Sequence, residues 1–337
     1  MQKKMTFLKA IRQAQFEEMK RDDSIIMMGE DLRADILGTA SGFVEEFGEN
    51  RIRNVPLSEA GFVGAAVGAA MTGLRPIVDI VLSSFMYCAM DQFVSQAAKS
   101  RYMFGGQVDI PVLYRAGMFY GGAEAAHHSD RPYPTFMTIP GLKIIVPSGP
   151  SDAKGLIKSA IRTDDPVLCF EDGSLWPTKG PVAVEGEELP TDEVPEDPDL
   201  LIPLGSADVK RDGSDVTVIA IGGSVPPAIE AAERLQDEDG VSVQVVDPRS
   251  LVPMDWETIL GCVSRTGRVV IADPAHRTCS AASEIAATIV EEVFESLVAP
   301  VRRVVTPDVH IPFSPPLEKL FYPTSDSIAE TVRAVAA

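Results

Sequence analysis

Short runs of β-branched and aliphatic residues, apolar on both faces, recur along this chain and alternate with stretches of helical spacing. Ser24–Met28, Arg51–Val55, Ile77–Leu82, Pro111–Arg115, Leu142–Pro147 and Pro166–Phe170 read as strands. Leu8, Ile11 and Ala14, and then Met90, Phe93, Val94 and Ala97, carry helical patterning between them. Strands with no polar face need cover on both sides, and a parallel sheet wound through helices supplies it. Further on, Val216–Ala220, Val241–Val246, Val269–Ala272 and Pro300–Val304 read as strands, with helices at Pro226–Leu235, Asp255–Thr266, Ala281–Leu297 and Ser325–Ala336. The expectation is an α/β chain of two doubly wound domains, residues 1–181 and 207–337, joined by an acidic, proline-rich linker at 182–206. In that linker Glu185, Glu187, Glu188, Asp192, Glu193, Glu196, Asp197 and Asp199 interleave with Pro190, Pro195 and Pro198. Charge repulsion and proline stiffness predict an extended, solvated segment.

The bulk numbers narrow the function classes. A length of 337 residues with 45% hydrophobic and 7% aromatic content suffices for two aliphatic cores. Forty-nine acidic against thirty basic residues give a net charge of −19, which repels phosphate backbones and anionic lipid, so nucleic acid and membranes are poor partners. No apolar run approaches the roughly eighteen residues of a membrane span, and the first residues lead into an amphipathic segment instead of a signal core. Cys88, Cys169, Cys262 and Cys279 lack paired or metal-type spacing, and no histidine clusters with them. A cytoplasmic protein with reduced thiols and no transition metal is expected.

Three local features could carry chemistry. Asn54-Val55-Pro56-Leu57-Ser58-Glu59-Ala60-Gly61 opens a helix over Ala60–Thr72 in which Gly61, Gly64, Ala65, Ala66, Gly68, Ala69 and Ala70 leave almost no bulk. Glycine costs about 0.5–1 kcal/mol against alanine inside a helix, so the run implies close approach by another backbone or a flat ligand. Glu59 lies in the first helical turn or just before it, with Ser58 as candidate N-cap. It serves the helix dipole at least, and it serves proton transfer if desolvation raises its pKa. Gly117–Ser129, containing His127 and His128, follows a strand, where ligands of open α/β sheets sit. Ser84-Phe85-Met86-Tyr87 offers an aromatic that either fills a core or packs on a heterocycle.

Together these pieces resemble one family, the beta chain of the thiamine-diphosphate-dependent first component of 2-oxo acid dehydrogenase complexes, which includes pyruvate, branched-chain and acetoin dehydrogenases. The resemblance rests on Gly29-Glu30-Asp31, Pro56-Leu57-Ser58-Glu59-Ala60-Gly61, Gly73-Leu74-Arg75-Pro76, Asp91-Gln92, Gly105-Gly106-Gln107, His128-Ser129, Pro140-Gly141-Leu142-Lys143, Asp152-Ala153-Lys154-Gly155-Leu156 and Ser314-Pro315-Pro316-Leu317-Glu318, in order nearly end to end. It implies a transketolase-like pyrimidine-binding domain followed by a transketolase C-terminal domain, in a subunit catalysing oxidative decarboxylation of a 2-oxo acid and acyl transfer to lipoyl groups. Glu59 would face the ring nitrogen of the cofactor's aminopyrimidine, with Glu30 and Phe85 as further cofactor contacts and His128 near the reacting centre. Val112, Ala160, Thr163 and Asp165 would supply backbone oxygens to a monovalent cation such as potassium.

The chain has no Gly-Asp-Gly followed about thirty residues later by paired asparagines, the element that holds magnesium and diphosphate in this superfamily; Asp172-Gly173 and Asp212-Gly213 lack that continuation. The resemblance therefore implies an alpha partner in an assembly of two alpha and two beta chains, which would hold Mg2+. It also implies a lipoyl-bearing acyltransferase component whose small basic binding domain engages the beta chain. The chain departs from most members after His128-Ser129, where Asp130-Arg131-Pro132 stands in place of a glutamine. That charged pair either alters substrate choice or forms a surface ion pair. An acetoin dehydrogenase or other transketolase-like subunit is the alternative enzyme, and a non-catalytic binding subunit the alternative class.

Overall fold

The computed structural model describes residues 2–121, 123–176 and 192–337. Its strands in chain order are β1 (Gln2–Met5), β2 (Ile25–Gly29), β3 (Ile52–Asn54), β4 (Arg75–Leu82), β5 (Leu113–Met118), β6 (Lys143–Ile145), β7 (Val167–Asp172), β8 (Asp192–Pro195), β9 (Asp208–Arg211), β10 (Val216–Ala220), β11 (Val243–Asp247), β12 (Ser250–Val252), β13 (Val269–His276) and β14 (Arg302–Thr306). A seven-stranded sheet has the order β12-β6-β7-β5-β4-β2-β3, and a five-stranded sheet the order β14-β13-β10-β11-β9. The inner strands of both are parallel, while β12 and β9 run antiparallel at the edges.

The apolar faces anticipated from sequence find their cover. Ile25 and Met27 turn toward the helices Phe7–Arg21 and Pro150–Arg162, whereas Ile26 and Met28 turn to the opposite core. That opposite core is shared. It takes Val63, Ala66 and Val67 from the helix Glu59–Met71, Ile219 and Ile271 from the second sheet, and Ile285 and Ile289 from the helix Ala281–Val293. The outer face of the second sheet is closed by the helices Val225–Asp239 and Ser325–Ala336. Each fully buried aliphatic side chain contributes about 1.5–3 kcal/mol, so the shared layer binds the two halves strongly.

Polar contacts cross the same boundary. Ser148 Oγ donates to Asp247 at 2.5 Å, Lys210 and Arg249 bind Asp152 at 2.5 and 2.9 Å, and the buried Tyr133 hydroxyl donates to Asp273. Burial, with the nearby Asp152 charge second, raises the Asp247 pKa.

Three expectations need correction. Strand β12 comes from the second half of the chain yet joins the first sheet beside β6, so the halves share a sheet as well as a core. The acidic segment is not simply solvated: β8 pairs antiparallel with β1, Val194 is fully buried, and Lys154 and Lys158 donate to the carbonyls of Pro195 and Pro198. Two buried lysines thus find acceptors there that sequence distance hides; residues 177–191 lie outside the described part. The stretch read as helical around Phe93 departs from α geometry, with a tight 3-10 turn at Ser83–Ala89 and a wide π turn at Gln92–Ala97.

Candidate active site

The carboxyl ends of β5, β4, β2 and β3, neighbours in the sheet, each lead into a segment with one of the side chains singled out above. β5 leads to His128, β4 to Phe85, β2 to Glu30 and β3 to Glu59. With strands about 4.8 Å apart, the row spans roughly 15 Å along one edge of the sheet.

Glu59 is the first residue of its helix and is half-buried. Ser58 occupies the N-cap position, but its hydroxyl does not cap: it donates back to the Pro56 carbonyl at 2.9 Å, while its backbone N–H is turned to Glu30. Glu30 is the desolvated acid of this pair. It is 4% exposed, Oε1 is buried with no hydrogen-bond partner, and burial followed by the neighbouring Glu59 charge lifts its pKa to about 7 against the pull of the Ser58 amide. Glu30 follows a strand inside the sheet, whereas Glu59 starts a helix at its rim.

Phe85 and His128 meet edge to face, with ring centroids 5.5 Å apart and planes at 88°. His128 Nδ1 lies 3.2 Å from Glu124 Oε2, which orients the imidazole, while His127 points to solvent. The loop bearing them is held from the second domain, where buried Glu318 accepts from the Gly121 amide at 3.0 Å. The structure therefore brings Phe85 to His128 and Glu30 to Glu59.

Arg131 corrects the surface-pair reading. It is buried, donates to the Ser129 carbonyl and the Tyr322 hydroxyl at 2.8 Å each, and lies 4.0 Å over the Tyr322 ring. Its charge thus serves the domain boundary and forms no surface pair with Asp130.

Val112, Ala160, Thr163 and Asp165 lie around the start of β5 and the end of the helix Pro150–Arg162. The Val112 carbonyl accepts from the Val167 amide at 2.9 Å, the Thr163 carbonyl accepts from Arg75, and the Asp165 carboxylate pairs with Lys143 at 2.8 Å and Arg101 at 3.0 Å. Protein cations already engage part of that oxygen set. Among the described residues no group of three or more His, Cys, Asp and Glu could hold a metal ion. Asp172 is used locally, accepting from the Ser174 amide and hydroxyl at 3.0 and 2.8 Å.

Asp79 and Arg115 were missed in the sequence. Arg115 is 1% exposed and grips Glu171 through two nitrogens at 2.6 and 3.0 Å, Asp79 at 3.2 Å and Gln15 at 2.9 Å. Burial works against its charge, but Glu171 and Asp79 outweigh that and raise its pKa. The available signal was one charge inside each otherwise apolar strand run, Ile77-Val78-Asp79-Ile80 and Val112-Leu113-Tyr114-Arg115-Ala116.

The profile of the transketolase pyrimidine-binding domain matches residues 3–177, and that of the transketolase C-terminal domain matches residues 205–328. The chain belongs to the transketolase-like family of dehydrogenase beta subunits. It is 42% identical to the acetoin:2,6-dichlorophenolindophenol oxidoreductase subunit beta of Bacillus subtilis, over 95% of this chain and 93% of that one. It is 39% identical to the 2-oxoisovalerate dehydrogenase subunit beta of the same organism, over 98% of both. With the pyruvate dehydrogenase E1 component subunit beta of Rhizobium meliloti it shares 36% identity, over 98% of this chain and 70% of that one. Among solved structures, a split-gene transketolase described as an inactive beta4 tetramer superposes with a TM-score of 0.76 over 97% of both chains at 23% identity, a likeness of fold.

Proposed function

We propose that this chain is the beta subunit of the first component of a 2-oxo acid dehydrogenase complex, acting with thiamine diphosphate on pyruvate or a branched-chain 2-oxo acid and passing the acyl group to lipoyl groups of an acyltransferase component. The observation that carries the proposal is the row His128, Phe85, Glu30, Glu59 across four neighbouring strand ends. The residues fit the pyrimidine half of that cofactor: Glu30 Oε1 is buried and unpartnered, Glu59 is half-open beside it, and an aromatic pair stands on the adjacent strands. When bound, thiamine diphosphate supplies an electron sink for decarboxylation. Glu59 would hold or move a proton at the aminopyrimidine nitrogen, Glu30 would keep a second proton near neutral pH, and Phe85 would fix the ring's tilt. His128, oriented by Glu124, would exchange a proton with the reacting substrate.

The diphosphate half would come from an alpha chain, together with Mg2+, in an assembly of two alpha and two beta chains. The helix Glu59–Met71 supports this: Gly61, Ala65 and Gly68 are exposed, and a side chain on Gly68 would meet nothing within this chain. Leu57, Tyr102 and Met103 are also exposed, at 78%, 91% and 68%, as large apolar side chains awaiting a partner surface would be. A potassium ion near Val112, Ala160, Thr163 and Asp165 would share its oxygens with Arg75 and Lys143. All four cysteines are free, which supports a reducing, cytoplasmic compartment. Among the described residues no helix is long and apolar enough to cross a membrane.

Acetoin cleavage is the second reading, favoured by 42% and 41% identity to two acetoin oxidoreductase beta subunits against 36% for the pyruvate relatives. Co-expression with the alpha chain, followed by assays of pyruvate, branched-chain 2-oxo acids and acetoin, separates the substrates. Calorimetric titration of the complex with thiamine diphosphate and Mg2+ is expected to show saturable binding. No binding at any Mg2+ concentration would favour a scaffold role.

A further inference from the structure

Strand β4 does not end smoothly. Val81 adopts φ of +62°, a left-handed conformation that a β-branched residue resists, and the pairing of β4 with β5 shifts register between Asp79 and Leu82. The chain then turns directly into Ser83–Ala89, the segment carrying Phe85. What holds the turn is Asp79: Oδ1 accepts the Val81 amide at 3.0 Å, and Oδ2 faces Arg115 Nη1 at 3.2 Å. Arg115 is itself fixed by Glu171 and by Gln15, whose amide donates to the Thr39 carbonyl at 2.9 Å. Thr39 belongs to the loop that follows Glu30. Gly29 lies against the Asp79 backbone so closely that a Cβ there would collide with the Asp79 carbonyl oxygen. One buried ion network therefore ends at the two segments bearing Phe85 and Glu30.

We propose that Asp79, clamped by Arg115, is a positioning residue that fixes the Val81 turn and thereby the placement of Phe85. This rests on the functional reading above only for its catalytic consequence. One Asp79 oxygen is spent on Arg115 of the neighbouring strand and the other on the strained amide two residues ahead, so the same carboxylate joins the buried network to the turn that leads into Phe85. The network acts within the ground state of the fold, setting where the aromatic ring stands before any ligand arrives.

The test uses the full chain with its co-expressed partner. In Asp79→Ala, amide exchange over residues 81–89 is expected to rise at least about tenfold while the five-stranded sheet keeps its protection. In the same variant kcat is expected to fall about tenfold and half-saturation by thiamine diphosphate to rise about tenfold, with KM for the 2-oxo substrate within about twofold. Asp79→Asn retains a carbonyl acceptor for the Val81 amide and should restore protection and cofactor saturation. Arg115→Lys, which keeps the charge but loses the planar fork, should loosen residues 81–89 by about threefold and serves if Asp79→Ala does not fold. Wild-type exchange at 81–89 in Asp79→Ala or Arg115→Lys would overturn the proposal. So would an even rise over the whole molecule, or Asp79→Asn behaving no better than Asp79→Ala. If the wild-type complex shows no thiamine-diphosphate-dependent turnover, the functional reading fails, while the exchange data still decide the role of Asp79.

Discussion

The two sheets of this protein are built alike and treat their strand ends differently. Both are mainly parallel, both place carboxylates at strand C-termini, and both lie under helices. In the second sheet those acids are tied off: Asp247 accepts from Ser148, and Asp273 accepts from Tyr133 and from the amides of Ala275 and Ala282. The helix that follows β10 begins Val225-Pro226-Pro227, so two of its first-turn positions have no N–H to offer a ligand. In the first sheet Glu30 keeps a buried oxygen without a partner. The comparison teaches that matching topology supplies two possible sites, and that a strand-end acid with an unpartnered buried oxygen distinguishes the one proposed for chemistry.

The largest test of this contrast is Glu59→Gln, which keeps shape and removes the ionisable group. Turnover of the assembled enzyme is expected to fall about 10²–10⁴-fold with folding intact, and near-normal turnover would remove Glu59 from the mechanism. On the other side of the contrast, Tyr133→Phe should leave turnover essentially unchanged while costing about 1.5–3 kcal/mol in denaturant unfolding, since it removes a hydrogen bond to a buried carboxylate. A large loss of turnover at unchanged stability would mean that the second sheet's acids are not merely tied off.

The smallest test uses pH. Glu30 titrates at about 7 in the fold against an ordinary 4.5, so the folded state binds the extra proton between those values and stability falls as pH rises through that window. Glu30→Gln should flatten this fall, measured by urea unfolding at about pH 5 and about pH 8, and should also alter the pH profile of turnover. Asp247→Asn, whose parent acid is likewise raised by burial, should flatten the stability curve alone. If Asp247→Asn also moved the activity profile, the division between the two sheets would break down.

Much of this arrangement could be read from residue types. Ile25 to Met28 announced a strand covered on both faces, and the Pro-Leu-Ser-Glu-Ala-Gly string placed an acid at a helix start, because both signals depend on neighbours a few residues away. What escaped depends on distant partners. That Glu30 and not Glu59 is the desolvated acid follows from strand order, β2 lying inside the sheet and β3 at its rim. The Arg115 network joins residues 15, 79, 115 and 171, and no local periodicity links them. A surface ion pair stayed open as one reading of Arg131 because its acceptor Tyr322 lies 191 residues further on. The acidic stretch read as solvated because Lys154 and Lys158 stand far upstream of the carbonyls they bind.

Strand β12 has a practical consequence for anyone dividing the molecule. Its three residues, Ser250–Val252, close the open side of β6. A fragment stopped near residue 206 would present that side as a bare template, with the apolar wall of Ile144 and Val146 uncovered next to it. Such a truncate should stick to its own copies instead of remaining a tractable half-protein.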